Sequence, residues 1–171
     1  DEACATADVL LDHFWDTDRG GLFTTADDAE SLVVRQKDLM DDATPSGNSV
    51  AALALQRLAA LTGEARYANH ADQILRLQAA MIPQAPSAFS LAVSAIHLRA
   101  VGLTEIAVVG DRPDLVSEVR ATWHPTAVLA WGEPYDSPLW NHRSEGFAYV
   151  CRDFACQQPA PDIDTLRPQL P

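Results

Sequence analysis

Cysteine is scarce in this chain: three among 171 residues, at Cys4, Cys151 and Cys156. An odd, small number at this length is not the disulfide framework that holds small secreted domains together, so a cytoplasmic origin is expected. Basic residues are also few. They number 12 against 24 acidic ones, a formal net charge of −12, and nowhere form a run. Nucleic acid and anionic membrane surfaces both need clustered Lys and Arg, which argues against both as partners. The acidic surface reads first as a device for solubility. No apolar run approaches the length of a membrane span. Asp1 to Phe14 lack the basic start and apolar centre of a signal peptide. With no initiator Met, a piece cut from a longer polypeptide is expected.

What is present is enough apolar material for a core: 47% of the residues are hydrophobic, and the length suits one domain. The most organised stretch runs from Asp41 to Gly63, DDATPSGNSVAALALQRLAALTG. Asp41 and Asp42 open it with adjacent carboxylates. Ser46 and Asn48 are strong N-cap types, because a short side-chain oxygen can accept from the free N–H groups of a first helical turn. Pro45 holds the chain extended ahead of them and biases Thr44 the same way, and Gly47 permits close approach. Val50 to Leu61 is then almost wholly apolar. One reading is a well-capped buried helix; the other is a polar pocket floor, set at the positive end of a helix, that binds hydroxyls.

Helical spacing of Ala3, Ala7, Leu10, Leu11 and Phe14 predicts a helix over 1–15. A turn cluster follows at 15–21. Leu22–Thr25 and Leu32–Arg35 then read as two short strands around an acidic loop, a β-hairpin excursion at about 22–36. Asp16, Asp18 and Gly20 faintly resemble a calcium loop, but the glycine is off by one and the later Glu is missing, so no metal is expected there. Arg35, Lys37, Asp38, Asp41 and Asp42 form a mixed-charge approach to the elbow. Residues 64–82 are amphipathic, with Tyr67, Ala71, Ile74, Leu75 and Met81 on one face. Residues 87–101 are again nearly all apolar and carry a lone histidine, His97, with Gly102 suited to a C-terminal cap.

The texture changes after residue 102. Glu105–Gly110 and Thr126–Trp131 are short β-type runs flanking a helix at Asp114–Trp123, which predicts a βαβ unit and a small parallel pair. Gly110-Asp111 lacks the rest of a glycine fingerprint, so no dinucleotide site is expected. Phe147–Cys151 reads as a last strand, with Cys156 at C-x4-C spacing. Two cysteines are too few for a structural zinc site, even with His142 and Asp153 nearby, and four intervening residues are not the thioredoxin-type spacing. The pair is open to two readings, reduced thiols packing a terminal strand or a disulfide across a turn.

The blocks FWDTDRGGLFTT, LVVRQKD, DDATPSGNSVAALALQRLAALTGEARY and GFAYVCRDFACQQP, in that order, resemble the C-terminal part of the thioredoxin-domain-containing, spermatogenesis-associated protein 20-like family. The resemblance implies a mainly α fold, part of an (α/α)6 toroid similar to those of N-acylglucosamine 2-epimerases and six-hairpin glycosidases. Residues 1–102 would supply helical hairpins, and 103–171 a βαβ segment and terminal strand packed on the same domain. It also implies a missing N-terminal, thioredoxin-like part as a partner, and exposed surface that would favour a homodimer of the fragment.

Two functions follow from the resemblance. In a carbohydrate-active toroid, Asp41 or Asp42 would act as general acid or base on a sugar-like small molecule. Arg35, Lys37, Asp38, Ser46 and Asn48 would line the cleft, and Trp15, or Trp131 and Trp140, would stack a sugar ring. In a non-catalytic platform, the chain would present substrate proteins or a ligand to a thioredoxin-like domain, with Cys151 and Cys156 as redox candidates. Neither reading calls for a cofactor.

Overall fold

The computed structural model describes residues 2–30 and 33–171. The chain divides into two compact units, Asp1–Leu58 with Ala65–Ala100, and Ala59–Glu64 with Val101–Pro171. The first unit is helical: α1 (Glu2–His13), α2 (Gly47–Thr62), α3 (Ala65–Ala79) and α4 (Ser90–Val101), the last entered through a 3-10 turn at Pro86–Phe89. The last turn of α2 and the last residue of α4 belong to the second unit.

The helix α3 buries the stripe its sequence provides, whereas α1 buries only Ala7 of its own. Tyr67, Ala71, Ile74 and Leu75 of α3 are buried, joined by Gln78. At 3.6 residues per turn these positions fall on one face. Buried positions on α2 include Ala51, Ala52, Leu55 and Ala60, and on α4 Ala92, Ala95 and Leu98. Small residues along both stripes let backbones come close, and Gln56 uses that proximity. Its amide donates to the Ala52 carbonyl at 3.0 Å and to Ala95 at 3.1 Å. Although their composition is apolar all round, both helices keep an open flank, with Val50 at 47% and Val93 at 42% exposure. His97 is exposed.

Two departures from expectation concern the strands and the class. Between residues 22 and 36 the described residues form no strand. Leu22 makes an isolated antiparallel bridge with Trp15, and Thr24 donates its N–H to the Gln36 carbonyl at 2.8 Å; Leu32, the start of the expected second strand, lies outside the described residues. The larger correction is to the class. The chain is not a mainly α partial toroid but an α/β mix, 46% helical and 12% strand, with six α-helices and one four-stranded mixed sheet among the described residues. The reason lies in residues 101–171: their short β-branched runs pair with one another and enclose a core of their own.

That second unit carries β1 (Thr104–Val108), α5 (Pro113–Arg120), β2 (Ala127–Trp131), β3 (Ala148–Arg152), β4 (Ala155–Cys156) and a single helical turn, α6 (Ile163–Leu166). The sheet order is β2-β1-β3-β4. β1 and β2 are parallel, as the strand–helix–strand pattern predicts, while β3 and β4 run antiparallel. All five β1 residues are buried, because strand periodicity sends alternate side chains into two covered faces. One face packs Ile106, Val108, Val150 and Ala148 with Leu115, Val116 and Val119 of α5 and Leu166 of α6. The other packs Ala107, Val109, Ala130, Leu139, Tyr149 and Cys151.

Candidate functional site

The elbow is a hydrogen-bonded joint. Ser46 takes the N-cap of α2, its Oγ accepting from the Ser49 N–H at 3.1 Å. Asp41 is buried, and both its carboxylate oxygens are engaged by backbone. Oδ1 accepts from the Ser46 N–H at 2.9 Å. Oδ2 accepts from the N–H groups of Leu91 at 2.8 Å and Ala92 at 3.2 Å, in the first turn of α4. One carboxylate thus serves the starts of two helices, where unsatisfied donors and the helix dipole both favour an anion. Burial pushes the Asp41 carboxyl up, but hydrogen bonds from Ser46, Ser49, Ala92 and Leu91 outweigh it and hold the group below its ordinary range. Asp42, next in the chain, is exposed, with its N–H donating to the Thr44 carbonyl at 3.0 Å.

The other residues singled out around the elbow tie loops together. Asn48 accepts from the Leu22 N–H at 2.7 Å and donates to the carbonyls of Leu22 at 3.0 Å and Asp38 at 2.7 Å. The Asp38 side chain is on the exposed surface. Lys37 donates to the Gly20 carbonyl and pairs with Asp16 at 2.7 Å; the hydrogen bond from Lys37 to Asp16 is the main reason the Asp16 carboxyl is held low. Arg35 donates to the carbonyls of His13 at 3.0 Å and Thr25 at 2.6 Å, and its guanidinium lies 4.2 Å over the Phe23 ring. Trp15 packs edge-on against His70, ring centres 4.5 Å apart. The structure therefore brings Arg35, Lys37, Asp41, Ser46, Asn48 and Trp15 into one unit, mostly by binding their polar atoms to backbone.

Sequence reasoning did not gather His13, Asp27 and Asp28, whose ligand atoms lie within 4.8 Å of one another on the surface. The His13 imidazole is raised above its usual range, chiefly by its hydrogen bond to Asp27.

In the second unit the two cysteines meet. Cys151 and Cys156 are register partners on β3 and β4 and form a disulfide. The two residues between the strands, Asp153 and Phe154, both have positive φ, 51° and 62°. That is the two-residue hairpin geometry whose twist matches the strands. It is costly for a residue with a large side chain. Phe154 pays back part of that cost by packing against the Ala107–Cys151 cluster. The two sulfurs differ in surroundings. Cys151 is buried at 3% exposure, whereas Cys156 is half-buried at the sheet edge. Arg143, in the loop before β3, donates from Nη2 to the Cys156 Sγ at 2.8 Å and lies 4.9 Å over the Tyr149 ring. Arg143 Nε and Trp140 Nε1 are buried without a hydrogen-bond partner among the described residues, although both are good donors. Of the two sequence alternatives for the pair, the disulfide across a turn is the one formed. The contact with Arg143 is set by the fold, thirteen residues from Cys156, and no spacing signalled it.

Glu105 is the second group that sequence reasoning passed over. It stands on β1 directly opposite Cys151, is 3% exposed, and accepts from the Phe154 N–H at 3.4 Å through Oε2. The available signal was a carboxylate at the head of the otherwise apolar run Glu105–Val109.

No protein-family model matches the chain. It is similar to proteins named Spermatogenesis-associated protein 20. The human protein is 31% identical over 92% of this chain and the rat protein 29% identical over the same share. An uncharacterised protein of Caenorhabditis elegans is 26% identical over 90% of it. These similarities support the family read from the sequence blocks. The chain spans 22% of the length of each of these relatives. No helix among the described residues is long and apolar enough to cross a membrane.

Proposed function

We propose that this homologue of Spermatogenesis-associated protein 20 is a non-catalytic platform whose Cys151–Cys156 disulfide exchanges with the dithiol of a thioredoxin-like partner. The observation that carries the reading is the Arg143 guanidinium 2.8 Å from the Cys156 sulfur. A cation at that distance stabilises a thiolate, so Cys156 leaves readily in the second step of exchange, when its mixed disulfide with the partner is resolved. The difference in exposure supports the same assignment, since only the half-buried Cys156 offers a sulfur to an incoming thiolate. In the cytoplasmic setting expected from the cysteine count, a disulfide serves as a transient redox group rather than a permanent staple. The carbohydrate-active reading draws no comparable support: the Asp41 oxygens are taken by backbone N–H groups, and Asp42 lies on the open surface.

The test is to expose the oxidised chain to dithiothreitol under native conditions, quench with an alkylating agent and read the mass shift on Cys151 and Cys156. Ready, reversible reduction is expected, and Arg143→Gln should shift its equilibrium toward the disulfide about tenfold, the loss of about one pK unit of thiolate stabilisation. A disulfide that stays closed in excess dithiol until the chain is unfolded sinks the reading.

A further inference from the structure

Glu105 sits where a purely structural strand position would be apolar. It is in the most buried strand of the sheet, paired with Val128 on one side and Cys151 on the other. Directly opposite residues of an antiparallel pair have Cβ atoms about 5 Å apart, and the face they share is the apolar one that holds Ala107, Leu139 and Tyr149. The carboxylate oxygen reaches the turn that closes the disulfide hairpin, at the Phe154 N–H. A buried carboxyl opposite a buried sulfur is a costly arrangement unless it has a task.

We infer that Glu105 is the proton donor to Cys151 when the disulfide opens. The inference rests on the thiol-exchange reading above. A thiolate of a dithiol reductant attacks the Cys156 Sγ. The Cys151–Cys156 bond breaks, and its electron pair goes to the Cys151 Sγ. Cys151 is buried at 3% exposure, where a bare thiolate is costly, so a proton is what its sulfur needs. The Glu105 carboxyl supplies it and becomes a carboxylate, which solvent reprotonates. The reductant's second thiol, deprotonated to solvent, then attacks its own sulfur in the mixed disulfide. Cys156 leaves as a thiolate beside Arg143. The reductant is oxidised by two electrons to its disulfide, and the protein ends with the Cys151 thiol and the Cys156 thiolate.

The groups around Glu105 favour its protonated form. Burial pushes it above the ordinary carboxylate range, against the Phe154 N–H, which favours the charged form, and the charge of Asp153 in the turn pushes it further up. On β3 the neighbouring Arg152 guanidinium is directed to the Val101 carbonyl at 2.8 Å and the Thr104 Oγ1 at 3.5 Å. The Tyr149 hydroxyl accepts from the Ser144 N–H at 2.9 Å. The facing β2 residue, Val128, is apolar.

The experiment is the pH profile of native-state reduction by dithiothreitol, with each rate corrected for the fraction of reductant present as thiolate. In the wild-type chain the corrected rate should fall as pH rises through the Glu105 titration. Glu105→Gln should give a flat profile, lower by about 100-fold on the acid side, the scale of general acid catalysis. A flat corrected profile in the wild-type chain overturns the inference without recourse to any variant. So does a Glu105→Gln chain that reduces at the wild-type rate with the wild-type profile; in both cases the disulfide still exchanges and the thiol-exchange reading stands. If the wild-type disulfide does not open at all in native dithiothreitol, that reading and this inference fail together.

Discussion

Asp41 shows how much one side chain can carry. Its two oxygens receive three backbone N–H groups from two helix starts, Ser46 on one and Leu91 and Ala92 on the other. Hydrogen bonds to a charged group contribute about 1.5–3 kcal/mol each, more than neutral ones. Asp41→Ala leaves those donors without their acceptor and is expected to cost about 3–5 kcal/mol, read as a lower urea midpoint at unchanged slope. Because the Asp41 carboxyl is held below its ordinary value of 3.8, its stabilisation is fully present above that pH and is lost as pH falls through the depressed folded value. The wild-type chain should therefore lose stability in acid more steeply than Asp41→Ala; parallel acid melts for the two would show that the carboxylate is not the source. The presence of an acid ahead of a capped helix was legible in the sequence. Its second role was not, because the α4 donors lie fifty residues further along the chain.

At the scale of elements, local chemistry determined where helices begin and end, and long-range pairing determined what the strands do. Gly63 is a case of the first. It follows α2 with φ at +77°, a left-handed cap that only glycine adopts freely. The fold adds a second constraint there: a Cβ would come within 2.7 Å of the Pro138 ring. Gly63→Ala should thus cost about 2–4 kcal/mol, from backbone strain together with overpacking, and lower Tm by several degrees. An unchanged Tm would mean that the Pro138 loop yields freely. The hairpin expected at about 22–36 is a case of the second. Apolar, β-branched residues were present, but strand pairing needs a partner at the right register. In the described residues this segment is held instead by side chains, Asn48 at Leu22 and Arg35 at Thr25.

For the whole molecule the dominant property is charge. A net charge of −12 sets up a negative field that repels anionic reagents, and salt screens it over about 30 Å at 0.01 M but only about 8 Å at 0.15 M. Reduction of Cys151–Cys156 by glutathione, the more acidic reductant, should accelerate several-fold across that range of salt. The dependence for dithiothreitol should be shallower. Equal salt dependence for the two would show that Arg143 and its surroundings, rather than the whole-chain field, govern approach to Cys156.

The helices of the first unit, the capped start of α2 and the strand–helix–strand order after residue 102 all followed from periodicity and capping chemistry, which act over a few residues. The α/β class, in place of the expected toroid, depended on which strands found one another. The disulfide depended on a two-residue turn bringing Cys151 opposite Cys156. Placing Glu105 across from Cys151 required a strand pairing between residues forty-six positions apart. Arg143 reached Cys156 only once the loop before β3 was laid against the sheet. Those are contacts between residues distant in the chain, where the closing of long loops and the packing of two covered sheet faces select one arrangement that no local pattern encodes.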